Sequence, residues 1–290
     1  MKTEKNIWIA FLLNAFFSIF ELVGGILIGS TAILSDAIHD AGDAVSIGIS
    51  YFLEKKSKKQ PDDIFTYGYT RYSVLGGLLT TLTLLLGSAI MIYNAVLRVF
   101  SPVEIDYNGM ILFAIVGVVV NLCAAYVTHN PQSINQRAVN LHMFEDVLGW
   151  IVVLVGAIVM RFTNFALLDP LLSIAVSLYI LFHAIKNLKE ILDLFLQKSP
   201  INTSQLKEYL SAIDGVTDVH HIHLWSLDDH THCATLHVVS DRPSYEIKTA
   251  VRETLKEQGI AHATIETETV NEPCHDIHCH TEYHPHHHHH

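Results

Sequence analysis

Apolar residues dominate six stretches of the chain, near 8–29, 32–54, 73–100, 108–129, 138–161 and 166–190. Each is long enough for a helix that crosses a bilayer, which takes roughly 20 residues. No cleavage site follows the first stretch, so it reads as a retained span and not as a signal peptide. Cations gather on one set of connections. Lys2 and Lys5 precede the first span, Lys55, Lys56, Lys58, Lys59 and Arg71 flank the connection after the second, Arg137 precedes the fifth, and Lys186, Lys189 and Lys198 follow the sixth. Arg98 and Arg161 are the exceptions. This bias predicts that both termini face the cytosol.

Apolar character falls away at Ser199-Pro200. Beyond it the pattern shortens to a helix from Asn202 or Thr203 to about Ile213, a strand over 216–227 and a polar turn at 228–232. A second strand over 233–239, an amphipathic helix from Pro243 to Glu257 stopped by Gly259, and a third strand over 261–269 follow. The order αββαβ predicts a small open-faced α+β sandwich. The chain therefore divides into a six-helix transmembrane domain (8–198), a cytosolic α+β domain (199–270) and a polar tail (271–290) expected to be disordered.

Composition agrees with this division. Half of the 290 residues are hydrophobic and only 16% are charged, which suits an integral membrane protein with a modest soluble part. A net charge of -11 argues against a nucleic-acid binder. Histidine is over-represented at 20 residues, partly through the run His286–His290, a native tail or a purification tag. Of the four cysteines, Cys123 falls in an apolar span and reads as a small core residue. Cys233, Cys274 and Cys279 fall in the soluble part without a disulfide-framework spacing, so metal binding is the better expectation for them.

One motif occurs twice inside apolar spans. His39 and Asp43 lie in the second, His142 and Asp146 in the fifth, each pair spaced i,i+4 and so on one helix face. Ionisable groups at membrane depth are costly and usually mark an ion pathway or a buried partner. Two such helices face to face offer two imidazoles and two carboxylates, a donor set for a tetrahedral divalent metal, with zinc the natural candidate. Imidazole and carboxylate release metal more easily than thiolate, and protons compete for imidazole near its ordinary pKa of about 6.5. Asp36 and Glu145 fall near this set as supporting groups, while Asp40 is rotated about 100° from His39. Asn14 and Asn121 read as packing groups between helices, Glu21 as either a packing group or one that lines the pathway, and Gly76-Gly77 as a point of close helix approach. A membrane hydrolase would need an open coordination position and a general base, and no such motif is present.

At these residues the chain resembles the cation diffusion facilitator family of divalent-metal/proton antiporters, in its bacterial zinc type. Four stretches carry the likeness: Gly29–His39 with Asp43, Tyr67–Arg71, His142 with Asp146, and Val219–Leu227. The resemblance implies a homodimer with six spans per subunit and a metallochaperone-like cytosolic domain that helps it dimerise. It implies export of Zn(II) in exchange for protons through His39, Asp43, His142 and Asp146, with cadmium, cobalt, iron or manganese as other possible cargo, and no enzymatic activity. It implies a regulatory zinc site at His220, His237 and Glu268, with Glu266 a further candidate. The brevity of the chain points to a bacterial cytoplasmic membrane, with an organellar membrane as the alternative. The family's metal site in the connection between the second and third spans is not expected, because Asp62 and Asp63 lack neighbouring histidines. Cys274 and Cys279, in a stretch dense with histidine, are candidate metal ligands of the tail. A membrane metal sensor is the alternative reading.

Overall fold

The computed structural model describes residues 2–28, 31–100, 107–163 and 168–272. Among these, six long helices come first: α1 (Lys2–Ile28), α2 (Thr31–Ser57), α3 (Arg71–Phe100), α4 (Tyr107–Thr128), α5 (Ile134–Thr163) and α6 (Leu168–Phe195). The helices run past the apolar stretches at several ends, where water and polar side chains can satisfy the end groups that have no partner within the helix. Apolar membrane-length windows occur in Thr3–Gly24, Arg71–Phe100, Ile111–Thr128 and Ile134–Val159. Helix α2 has comparable length, and its carboxylates lower its mean hydropathy.

Outward-facing positions are apolar: Phe16, Ile19, Val45, Phe52, Leu86 and Phe182 are all exposed. In water such a surface would aggregate, whereas in lipid it is the expected exterior. Polar side chains turn inward, as Asn14, Ser50, Thr80, Thr81, Asn135 and Asn187 are buried. Helices pack in the pairs α1–α2, α1–α4, α2–α3, α3–α5 and α4–α5. Glycine permits the closest approaches. A methyl group on Gly117 of α4 would lie 2.5 Å from the Trp150 ring of α5. Helix α6 meets α3 and α5 through Leu84, Ile180 and Ala184, through an Asn187-to-Thr81 hydrogen bond of 2.7 Å, and through an Arg137–Glu190 ion pair.

Two sequence expectations change here. Cys123 is exposed on α4 and is not a core residue. Asn121 does not bridge helices with its amide, which donates instead to the Gly117 carbonyl one turn earlier in its own helix at 3.1 Å.

The chain divides into two compact units, residues 1–193 and 194–290. The second holds α7 (Thr203–Ser211), β1 (Asp218–Ser226), β2 (His232–Val239), α8 (Ser244–Glu257) and β3 (Ile260–Glu268). Asn202 caps α7, its side chain accepting from the Ser204 amide. Gly259 takes φ +80°, a left-handed conformation that lets the chain turn straight from α8 into β3. The sheet has the order β1-β2-β3, with β1 and β2 antiparallel and β2 and β3 parallel. Leu206, Leu210, Leu236, Val251 and Leu255 form its core. Leu236 is 1% exposed, so Leu236→Ala is expected to cost this unit about 2–5 kcal/mol. Differential scanning calorimetry of the soluble unit checks this.

Candidate metal centre

Helices α2 and α5 run antiparallel where they meet, so that Asp43 faces His142. The i,i+4 spacing puts His39 over Asp43 and His142 over Asp146. Asp43 is the shared residue. Its Oδ2 lies 3.6 Å from His39 Nε2 and 3.5 Å from His142 Nε2. Donor atoms of Asp43, His142 and Asp146 all lie within 4.8 Å of one another. The edge of a tetrahedron with metal–ligand bonds near 2.0–2.1 Å is about 3.3–3.4 Å, so the two Asp43 separations match the edges a zinc ion would span.

Burial sharpens the case. Asp43 and His142 are each 3% exposed. Both ring nitrogens of His142, and Asp146 Oδ2, are buried without a hydrogen-bond partner. Buried polar atoms are nearly always satisfied, and one His142 nitrogen and Asp146 Oδ2, left without partners beside the Asp43 carboxylate, are explained by a cation that completes them. His39 stands apart from this tight trio. Its side chain is half exposed, and among the described residues its contact with the trio is to Asp43. Glu145 turns aside from the trio and accepts from Ser88 Oγ of α3 at 2.9 Å, so it ties α5 to α3. The side chain of Asp36 lies outside the described residues.

A second group of donors lies on the soluble sheet. His220, His237 and Glu268 also bring one ligand atom each within 4.8 Å of the others. Pairing in register sets His220 beside His237, and His237 beside Glu266. Glu268 bridges the two imidazoles, 2.6 Å from His237 Nδ1 and 3.3 Å from His220 Nε2. Glu266 approaches His237 Nε2 at 3.4 Å. Behind the group, Asp218 sits 3.1 Å from His220 Nδ1 and 2.8 Å from Lys207 Nζ. The Lys207 hydrogen bond, with the His220 contact, holds the Asp218 carboxyl below its ordinary value despite partial desolvation. A depressed carboxyl pKa stabilises the fold above its unfolded value, about 3.9, and that contribution fades as pH falls through the folded value. The prop therefore persists wherever histidine can bind metal. Asp218→Asn is expected to weaken zinc at this group by about tenfold, measured by competition with a chromogenic chelator.

Sequence reasoning missed His221. A bulge between His220 and His223 gives His221 φ +51° and turns its ring onto His237, with ring centroids 4.9 Å apart. Strict strand alternation would have sent it to the other face, and no sequence signal marks the bulge. Cys233, expected as a metal-binding thiol, is instead fully buried in the domain interior. Cys274 and Cys279 lie outside the described residues.

The connection between α2 and α3 uses its acid for structure. Asp62 accepts from the amides of Ile64 and Phe65 and from the Tyr69 hydroxyl, and it pairs with Lys59 at 2.9 Å. Lys59 first, then the Phe65 amide, push its carboxyl far below the usual range.

Comparison with known proteins decides the family. The cation efflux transmembrane domain matches residues 7–196, and the cation efflux protein cytoplasmic domain matches residues 199–270. The chain belongs to the cation diffusion facilitator family. Members of this cation efflux family are integral membrane transporters and not enzymes. Similar relatives include the zinc transporter ZitB of Pectobacterium atrosepticum, 33% identical over 95% of this chain and 88% of its own. The metal cation efflux system protein CzcD of Cupriavidus metallidurans is 32% identical over 93% of this chain and 88% of its own. A cadmium, cobalt and zinc/H(+)-K(+) antiporter of Bacillus subtilis is 29% identical over 92% of this chain and 89% of its own.

Proposed function

We propose that this cation diffusion facilitator exports Zn(II) from the cytosol in exchange for protons, through the site built by Asp43, His142, Asp146 and His39. One observation carries the reading: buried, hydrogen-bond-free atoms of His142 and Asp146 gather with the Asp43 carboxylate, one donor atom from each residue within 4.8 Å of the others. Two imidazoles and two carboxylates satisfy the ion's coordination preference and offset its charge where water cannot. Imidazole is a donor for which metal and protons compete, so an ion leaving on the proton-rich side is replaced by protons that travel back. His39, half exposed and linked to the trio through Asp43, is the ligand placed to receive or release the ion first. The names of the relatives support zinc, with cadmium and cobalt as further cargo.

The positive-inside bias supports cytosolic termini, and hence the ends of α2 and α6 and the start of α5 on the cytosolic side. The matched cytoplasmic domain supports a homodimer, and the bacterial relatives support residence in the cytoplasmic membrane. The His220, His237 and Glu268 group, with Glu266 beside it, then reads cytosolic zinc and favours the export cycle when occupied.

Reconstituted into liposomes, the wild type is expected to move zinc when a pH gradient is imposed, and Asp146→Ala is not. Gradient-independent leakage equal in the two proteins would reject the reading.

A further inference from the structure

A buried polar cluster lies between the proposed ion site and the end of the bundle where α2 finishes and α5 begins. Asn135 stands seven residues before His142 on α5, and Ser50 seven residues after Asp43 on α2, so both are about 10 Å from the site towards the same end. Asn135 and Ser50 are fully buried, and Glu54, one turn further on, is 3% exposed. Ser50 Oγ donates to Asn135 Oδ1 at 2.6 Å, and Asn135 Nδ2 donates to the Ser50 carbonyl at 3.0 Å. Glu54 Oε2 accepts from Ser73 Oγ of α3 at 2.6 Å, from Ser133 Oγ at 3.2 Å and from Asn135 Nδ2 at 3.3 Å. One carboxylate thus gathers α2, α3 and the start of α5.

The neighbouring surface is shaped around Asn135. A methyl group on Gly76 of α3 would lie 2.7 Å from Asn135 Nδ2, so only glycine admits the amide there. A static bundle would seal this layer more cheaply with apolar side chains, since burying polar groups costs free energy that their hydrogen bonds only offset. A polar seal differs in that water or a hydrated ion can replace its bonds one by one.

We infer that Glu54 and Asn135 form the latch of a polar gate on the cytosolic side of the ion site, Glu54 acting as a positioning residue that holds α2, α3 and α5 together until the gate opens. This rests on reading Asp43, His142 and Asp146 as a transport site. Losing the Glu54 carboxylate leaves Ser73, Ser133 and Asn135 without their common acceptor and moves the population towards the open gate.

Ala138 is fully buried, one turn from His142 and three residues from Asn135, and reports on the gap between latch and site. The full-length Ala138→Cys protein is treated with a small methanethiosulfonate reagent, and modification at residue 138 is read by peptide mass spectrometry, which separates it from the native cysteines. Adding Glu54→Ala is expected to speed modification by about tenfold or more, as a population shift of that size requires. Ser73→Ala, which removes one bond and keeps the carboxylate, moves it in the same direction by less and decides the matter if Glu54→Ala does not fold. Glu54→Gln, which retains an acceptor oxygen, falls between wild type and alanine. Zinc binding by the Glu54 variants stays within about twofold of the parent, because the latch is not a ligand. An unchanged modification rate in folded Glu54→Ala or Ser73→Ala protein overturns the latch. Absence of zinc binding in the parent would instead overturn the site itself.

Discussion

Asp43→Ala is expected to reduce zinc flux by about a hundredfold or more, to the level of protein-free liposomes. Groups that merely orient a metal ligand cost about 10–100-fold when removed, and Asp43 stands nearer than that. Its Oδ2 lies within 3.6 Å of both imidazoles, and it is the only described contact through which His39 joins the trio. Without it, His142 faces a void with one carboxylate fewer to balance a divalent charge in a low-dielectric setting. Radiometal uptake into proteoliposomes, beside circular dichroism to establish folding, measures the loss. Flux above a tenth of wild type in folded protein would mean that the ion bypasses this residue.

His237→Ala carries the second large effect. His237 touches Glu268 through Nδ1 and Glu266 through Nε2, so it links the two acidic groups of β3 to His220. Its loss leaves one imidazole, and zinc affinity at the soluble unit is expected to fall by about a hundredfold. Competition titration in an Asp146→Ala background isolates this group from the intramembrane one. Export at saturating zinc is expected to survive His237→Ala, with the response shifted to higher zinc concentration. Unchanged affinity would move the regulatory site elsewhere on the sheet.

Much of this was readable before any coordinates. Helix period and apolar length placed the six long helices, because a bilayer leaves few other ways to satisfy backbone polar groups. The two His-x-x-x-Asp pairs were legible for the same reason that they are costly: few residues at membrane depth carry charge. The unequal burial of Asp43 and His39 was not legible. Helix spacing puts His39 and Asp43 on one face, and only the rotation of α2 against α5 buries Asp43 and leaves His39 half exposed. Glu54 and Asn135 escaped notice because each, alone, resembles an ordinary helix-end polar group. Their meaning comes from Gly76 across the gap, whose close approach was legible but whose guest was not. Cys123 and Cys233 were misjudged on the general habits of cysteine, when helix rotation and strand register decide which way a thiol points.

The central claim is an exchange of zinc for protons through one site. The most direct measurement loads proteoliposomes with a pH-sensitive dye, sets the same pH on both sides and adds zinc outside. The wild type is expected to let zinc in and protons out, so the interior turns alkaline, and Asp146→Ala is expected to show neither change. Zinc entry without a change in interior pH would contradict the account.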